Sequence, residues 1–167
     1  MNENGNIMKQ GEEGEVCIKG ENVTLGYENN EDANKTSFTN GWFRTGDQGY
    51  FDKDGYLKIS GRLKEIINKG GEKISPLEVD NVLMDHPFVE QAVCFGYEDK
   101  MLGEEIATAI IVKEGMTCRE EDVKIYANEK LAKFKVPKKI FFVNEIPKGA
   151  TGKLQRNTLA KKFGLTN

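Results

Sequence analysis

One lysine near the carboxyl end, Lys153, sits in Pro147-Lys148-Gly149-Ala150-Thr151-Gly152-Lys153-Leu154-Gln155, among small turn-forming residues in a lysine-rich tail. An ammonium on a four-carbon stem is a point charge for phosphate or carboxylate oxygens. Gly149 and Gly152 allow the backbone positive φ and a close approach to a ligand. Taken alone, the segment is equally a surface loop with a solvated lysine.

Two earlier segments carry further candidate chemistry. Phe43-Arg44-Thr45-Gly46-Asp47 is followed by Gly49-Tyr50-Phe51-Asp52 and Asp54-Gly55-Tyr56-Leu57. Gly61-Arg62-Leu63-Lys64-Glu65-Ile66-Ile67 is followed by Lys69-Gly70-Gly71-Glu72-Lys73-Ile74-Ser75-Pro76-Leu77-Glu78-Val79. With residues 147–156, these segments in this order and at these separations resemble the adenylate-forming acyl-CoA synthetases, most nearly the oxalate/4-coumarate type of CoA ligase. The resemblance runs from about Gly14 to Phe163.

That resemblance implies a role for each position. Asp47 is expected to accept hydrogen bonds from the ribose hydroxyls of ATP or AMP, since an ionised carboxylate offers two acceptor oxygens to a diol; a turn aspartate after Gly46 is the competing account. Arg62 is expected near the same ribose, with an interdomain salt bridge as the alternative. Lys64 falls at the hinge about which a small lid domain turns between two half-reactions, or is an ordinary exposed lysine. Lys69, Gly70 and Gly71 correspond to a loop lining the channel for the pantetheine arm of CoA; otherwise they form a hairpin turn with positive φ. Lys73 is expected to meet a nucleotide or coenzyme phosphate, whereas Asn68 stands where relatives carry a lysine. Lys153 is expected to neutralise charge developing between the substrate carboxylate and the α-phosphate during adenylation.

The implied reaction converts a carboxylic acid and ATP to an acyl-adenylate and pyrophosphate, after which CoA displaces AMP. The phosphate loop ending in Pro-Lys and the aromatic-Gly-x-Thr-Glu segment of such enzymes are not in this sequence. The expectation is therefore a carboxyl-terminal portion, inactive alone: a piece of a longer chain, a subunit complementing a separate amino-terminal AMP-binding domain, or a remnant. Magnesium is expected for the complete enzyme, its ligands lying in that missing domain, and no metal site is expected here. The expected layout is a β-rich end of the amino-terminal domain over 1–60, a hinge over 61–64 and the lid over 65–167. The lid of a peptide-synthetase or luciferase-like enzyme, or a non-catalytic module holding a polyphosphate or a partner, remains as an alternative.

Composition sets the background. With 38% apolar and 31% charged residues over 167 positions, the chain reads as soluble and globular, with one to two small units. No apolar run approaches the roughly 20 residues of a membrane span. The polar, acidic amino terminus indicates no signal or transit peptide, and Leu165-Thr166-Asn167 is no peroxisomal address. Cys17, Cys94 and Cys118, odd in number and widely spaced, read as reduced cytoplasmic thiols, the first two in the core. The sole histidine, His86, reads as helix-terminal or surface-exposed. Residues 130–162 hold ten basic residues and one acid, Glu145. A net charge of −3 and a pI near 5.4, without a nucleic-acid motif, argue against nucleic acid. The tail is then a solvated face with edge-strand lysines, or a site for CoA or ATP.

The elements that must position these residues read as α+β. Short strands are expected at Val16–Ile18 and Val23–Leu25, a short helix over 30–38, and a hairpin of 50–51 with 56–59 turned at 52–55. Ser75, Pro76 and Glu78 read as N-cap, first-turn proline and capping-box glutamate of a helix reaching Asp85 and burying Leu77, Val79, Val82 and Leu83. Strands at 89–97 and 106–112 precede a second helix, capped by Thr117 and Glu120, whose apolar face is Val123, Tyr126, Ala127 and Leu131. A third strand at 140–143, a glycine loop and a final helix to Phe163 complete a three-stranded sheet with helices, plus a β-hairpin.

Overall fold

The computed structural model describes residues 1–149, 152 and 154–165. The chain divides into two compact units, Met1–Lys64 and Glu65–Asn167.

The first unit is a four-stranded antiparallel sheet. Strand β1 (Gly14–Ile18) and the short β2 (Phe38–Thr39) both pair with the long β3 (Trp42–Phe51), which also pairs with β4 (Leu57–Arg62). Helix α1 (Glu31–Ser37) begins where Asn30 caps it, its side chain accepting from the Ala33 N–H at 3.1 Å. The β3–β4 turn is held by Asp52 Oδ1, which accepts from the N–H groups of Asp54 and Tyr56. The strand expected at Val23–Leu25 does not form. Val23 N–H instead closes a turn onto the Gly20 carbonyl at 3.1 Å and Leu25 is fully exposed, so a run of β-formers without a neighbouring strand stays irregular. Cys17, expected in a core, is only half-buried.

The second unit holds the core. Strands β5 (Ile67–Lys69) and β6 (Glu72–Ile74) form a hairpin, helix α2 spans Pro76–Met84, and β7 (Val89–Asp99) and β8 (Gly103–Val112) form a long hairpin. Helix α3 (Glu120–Lys130), strand β9 (Lys139–Phe142) and, after a 3-10 turn at Arg156–Thr158, the short helix α4 (Leu159–Lys162) follow. The sheet order is β6-β5-β8-β7, with β9 parallel to β8. Three strands and a hairpin thus share one five-stranded sheet, joined where Lys69 meets Gly103.

Period-two alternation along β7 and β8 sends side chains to both faces. Ala92, Cys94, Ile106 and Ile110 pack with α2 and α3 through Val79, Leu83, Val123 and Ala127. Val93, Phe95, Ala107 and Ala109 pack with Ile146, Leu159 and Ala160 from the carboxyl-terminal segment. Phe163 stacks on Phe95 and Phe141, at centroid distances of 5.6 and 4.6 Å.

Both capping expectations are corrected. Ser75 is the N-cap of α2 but makes no side-chain capping bond, and Glu78 is drawn away by Lys135, whose Nζ lies 2.6 Å from Oε1. Helix α3 is capped at Arg119 rather than Thr117, because Asp122 at the third helical position accepts from the Arg119 N–H at 3.1 Å. Leu77 and Val82 are half-buried rather than buried. Among the described residues no helix is long and apolar enough to cross a membrane.

His86 stands just past α2 and is buried, so the surface alternative is dropped. Its ring lies edge-on to Tyr126 and Phe88, at 4.9 and 5.4 Å, and Nδ1 accepts from the Phe88 N–H at 3.2 Å. Burial pushes its pKa below the ordinary value, with Asp122 opposing and Lys113 reinforcing. The native state therefore binds fewer protons than the unfolded chain below about pH 6.5, so this contribution is fully present above that value and is lost as pH falls through it. Urea midpoints measured between pH 5 and 7.5 should show that loss, and His86→Phe should flatten this part of the profile.

Candidate functional site

Asp47 and Arg62 are brought together. They are cross-strand partners on β3 and β4, and Arg62 Nε donates to Asp47 Oδ1 at 2.8 Å. The pair is partly exposed, with side-chain exposures of 30% for Asp47 and 53% for Arg62. Just before Asp47 the chain turns through Gly46 at φ 73°, a conformation costly for any residue with a Cβ. Glu15 holds that turn: Oε2 accepts from Arg44 Nε at 2.8 Å, and Oε1 accepts from the Gly46 N–H at 3.1 Å. Thr45 Oγ1 donates to the Val16 carbonyl and accepts from the Asp47 N–H. Glu15 was not singled out from sequence, since nothing local marks an acid 31 residues before the glycine it serves.

Lys69, Gly70, Gly71 and Lys73 lie on the β5–β6 hairpin. Gly70 (φ 61°) and Gly71 (φ 93°) form its two-residue turn, both left-handed, which matches the twist of the flanking strands. The turn is pinned from outside: Gly70 N–H donates to the Leu102 carbonyl at 2.8 Å, and a Cβ on Gly70 would lie 3.3 Å from Leu102 Cδ2. Lys69 is not turned to solvent. Its Nζ lies 2.5 Å from Glu105 Oε1, with side-chain exposures of 13% and 5%. Lys138 approaches the other Glu105 oxygen at 3.8 Å and Asp99 at 3.4 Å. Asp99 itself accepts from the N–H groups of Met101 and Leu102, which with Lys138 hold its carboxyl below the usual range. Lys73 is exposed beside this turn, opposite Asn68.

Lys64 is exposed in the 3-10 turn Leu63–Glu65 and is the last residue of the first unit. Lys153 lies outside the described residues. Around it, Lys148 and Leu154 form an isolated antiparallel bridge, and Gly152 N–H donates to the Gly149 carbonyl at 2.9 Å. The basic tail is largely spoken for by the fold: Lys135 pairs with Glu78, Lys138 with Asp99, Lys139 sits 4.8 Å over the Tyr97 ring, and Arg156 is buried on Asp80 and Glu65. Among the described residues no group of three or more His, Cys, Asp or Glu could hold a metal ion.

Chemically, the first unit presents a preformed carboxylate–guanidinium pair with acceptor oxygens suited to hydroxyl donors. The second unit presents a glycine turn that lets a narrow ligand approach the backbone. Residues 78–153 match the model for the AMP-binding enzyme C-terminal domain. The chain carries the carboxyl-terminal domain of the AMP-binding enzymes. Within that class it is similar to acid:CoA ligases. It is 56% identical to an oxalate–CoA ligase of Arabidopsis thaliana over 163 residues, covering 98% of this chain and 32% of the relative. It is 49% identical to the Saccharomyces cerevisiae oxalate–CoA ligase over 165 residues, 98% of this chain and 30% of the relative. The solved o-succinylbenzoate CoA synthetase of Bacillus subtilis, in complex with an acyl-adenylate intermediate, superposes with a TM-score of 0.84 at 40% identity, over 93% of this chain and 32% of that one. The chain thus spans about a third of the length of the curated relatives it matches.

Replacing Lys69 by Met leaves Glu105 buried without its nearest cation, which should cost about 3 kcal/mol in urea unfolding. Adding Glu105→Gln should recover much of that loss; equal destabilisation by single and double variants would show that the pair does not couple.

Proposed function

We propose that the chain is the carboxyl-terminal part of an ATP-dependent acid:CoA ligase. Such an enzyme forms an acyl-adenylate and pyrophosphate from a carboxylate and ATP, then a thioester and AMP when the thiol of CoA attacks. The observation that carries this reading is the likeness of nearly the whole chain to acid:CoA ligases.

The residues present suit those substrates. Asp47 would accept from the ribose hydroxyls of ATP or AMP, with Arg62 Nε orienting the carboxylate through its hydrogen bond to Oδ1. Gly70 and Gly71, having no side chains, would border the pantetheine arm, and Lys73 would meet a phosphate. Lys69 supports this turn from beneath, because its ammonium is committed to Glu105. Lys153 would supply positive charge to the reacting carboxylate and α-phosphate. Magnesium is assigned to no residue of this chain.

In this reading residues 1–60 end the large AMP-binding domain, 61–64 form the hinge with Lys64 at its centre, and 65–167 form the lid. A large amino-terminal domain is the partner, and the free thiols of Cys17, Cys94 and Cys118 suit a cytoplasmic protein. One physical feature favours the partner. Among the described residues of the first unit no large hydrophobic side chain is fully buried, while Tyr50, Phe51, Tyr56, Leu57 and Ile59 are exposed. A sheet of that kind needs further protein against it to reach a normal degree of burial.

The test is pyrophosphate release and acyl-CoA formation across a panel of carboxylic acids, with this chain combined with an amino-terminal domain of the family. Activity should require both parts. Lys153→Ala should slow the first half-reaction about 100-fold or more, and Asp47→Ala should weaken ATP binding about 10-fold or more, as expected for loss of hydrogen bonds to a charged acceptor. Pyrophosphate release by this chain alone would sink the reading.

A further inference from the structure

Among the described residues, strand β7 lies on the outside of its sheet and pairs with β8 alone. An edge strand presents unpaired N–H and C=O groups along its free side. At Cys94 these are met by side chains. Its N–H donates to Asp80 Oδ1 at 2.5 Å, and its carbonyl accepts from Arg156 Nη1 at 2.6 Å. The same Nη1 lies 2.9 Å from Asp80 Oδ2, so helix α2 and the carboxyl-terminal segment jointly supply the acceptor and donor that a neighbouring strand would. Arg156 Nε donates in addition to Glu65 Oε2 at 3.0 Å. Both Asp80 and Arg156 are buried, at 4% and 8% exposure.

Ion pairs this far from water add little net stability, because desolvation consumes most of the attraction. What a guanidinium adds is direction: its planar fork binds Glu65, Asp80 and the Cys94 carbonyl at once, which a lysine cannot do. Arg156 also closes a narrow neck. Lys148 bridges Leu154, and the Gln155 side chain fills the place of a Cβ on Gly149, only 2.5 Å away. The chain from Gly149 to Leu154, which includes Lys153, begins and ends at that neck.

We propose that Arg156 is a positioning residue: through Glu65, Asp80 and the Cys94 carbonyl it fixes where the Gly149–Leu154 neck stands, and locks that neck to the residue that follows the proposed hinge. The catalytic consequence rests on the acid:CoA ligase reading; the anchor itself does not. In this proposal the neck and Glu65 move as one body, and Lys153 falls in the sequence between the two ends of that neck.

Two arms test this with Arg156→Lys and Glu65→Gln, the second of which leaves Asp80 its buried cation and so preserves the fold. In the purified 167-residue chain, amide hydrogen exchange at Cys94, Leu154 and Gln155 should speed up about 10-fold or more in Arg156→Lys, the scale of one lost charge-assisted hydrogen bond. In Glu65→Gln the same gain should be confined to Leu154 and Gln155. Val123 and Ala127 in α3 should keep their protection in both. Unchanged exchange at the neck overturns the anchor. With the amino-terminal domain added, both variants should slow pyrophosphate release about 100-fold, as a misplacement of about 1 Å can. Thioester formation from preformed acyl-adenylate should fall less than about 3-fold, since Lys153 serves only the first step, and Arg156→Gln should be worse than Arg156→Lys. Equal losses in both half-reactions, tracking thermal unfolding, would reduce Arg156 to a stabilising residue and overturn the positioning role. An inactive wild-type mixture would refute the ligase reading while exchange still decides the anchor.

Discussion

A carboxylate taken out of water must be given a cation and hydrogen-bond donors, and Asp80 is where the second unit meets that demand. Burial drives its pKa up, while Arg156 and the Cys94 N–H pull it back. Satisfying one residue of α2 therefore brings the edge of β7, the start of the unit at Glu65 and the segment after the glycine loop to a single point. Cys94, fully buried beside that charge, has its thiol pushed well up, chiefly by desolvation and then by Asp80, so it is packing rather than a nucleophile.

The β7–β8 hairpin makes the arrangement possible. Because successive residues face opposite ways, it serves two cores at once, one under α2 and α3 and one under α4 and Phe163. The carboxyl-terminal segment thereby acquires a docking face of its own, through Ile146, Leu159 and Ala160, although α4 is only four residues long and could not persist unsupported. The tip of the same hairpin pins the Gly70–Gly71 turn through the Leu102 carbonyl. One pair of strands thus supports both the glycine turn and the glycine-flanked neck.

What was legible in the sequence is what local chemistry dictates. Pro76 after Ser75 marked the start of α2, the apolar runs over 89–97 and 106–112 marked β7 and β8, and adjacent glycines marked the turn at 70–71. What was not legible depends on partners far along the chain. Glu78 looked like a capping glutamate until Lys135, 57 residues away, took it. Lys69 looked like a ligand lysine because Glu105 lies two strands and a helix further on. Val23–Leu25 has β-forming side chains and no strand beside it, and propensity alone cannot supply one. Asp47 and Arg62 stood out in the sequence through the resemblance of their segments to a family, and only the fold shows that register pairs them; the supporting Glu15 and Glu105 are ordinary acids until the fold buries them.

The four arginines show how burial separates scaffold from site. Each donates through Nε to a carboxylate: Arg44 to Glu15, Arg62 to Asp47, Arg119 to Asp122 and Arg156 to Glu65. The local chemistry is the same, but the cost of undoing it is not. Displacing Arg156 would strand buried carboxylates, a loss large enough to disrupt the unit. Arg62 and Asp47 are both partly in water, where such a pair is worth about 0–1 kcal/mol, so in the proposed role a diol would share or replace the guanidinium at little cost. A binding carboxylate needs that combination of being held in place by its neighbours and released cheaply by its partner. Asp47 has the first from Glu15 through the Gly46 turn, and the second from the exposure of Arg62.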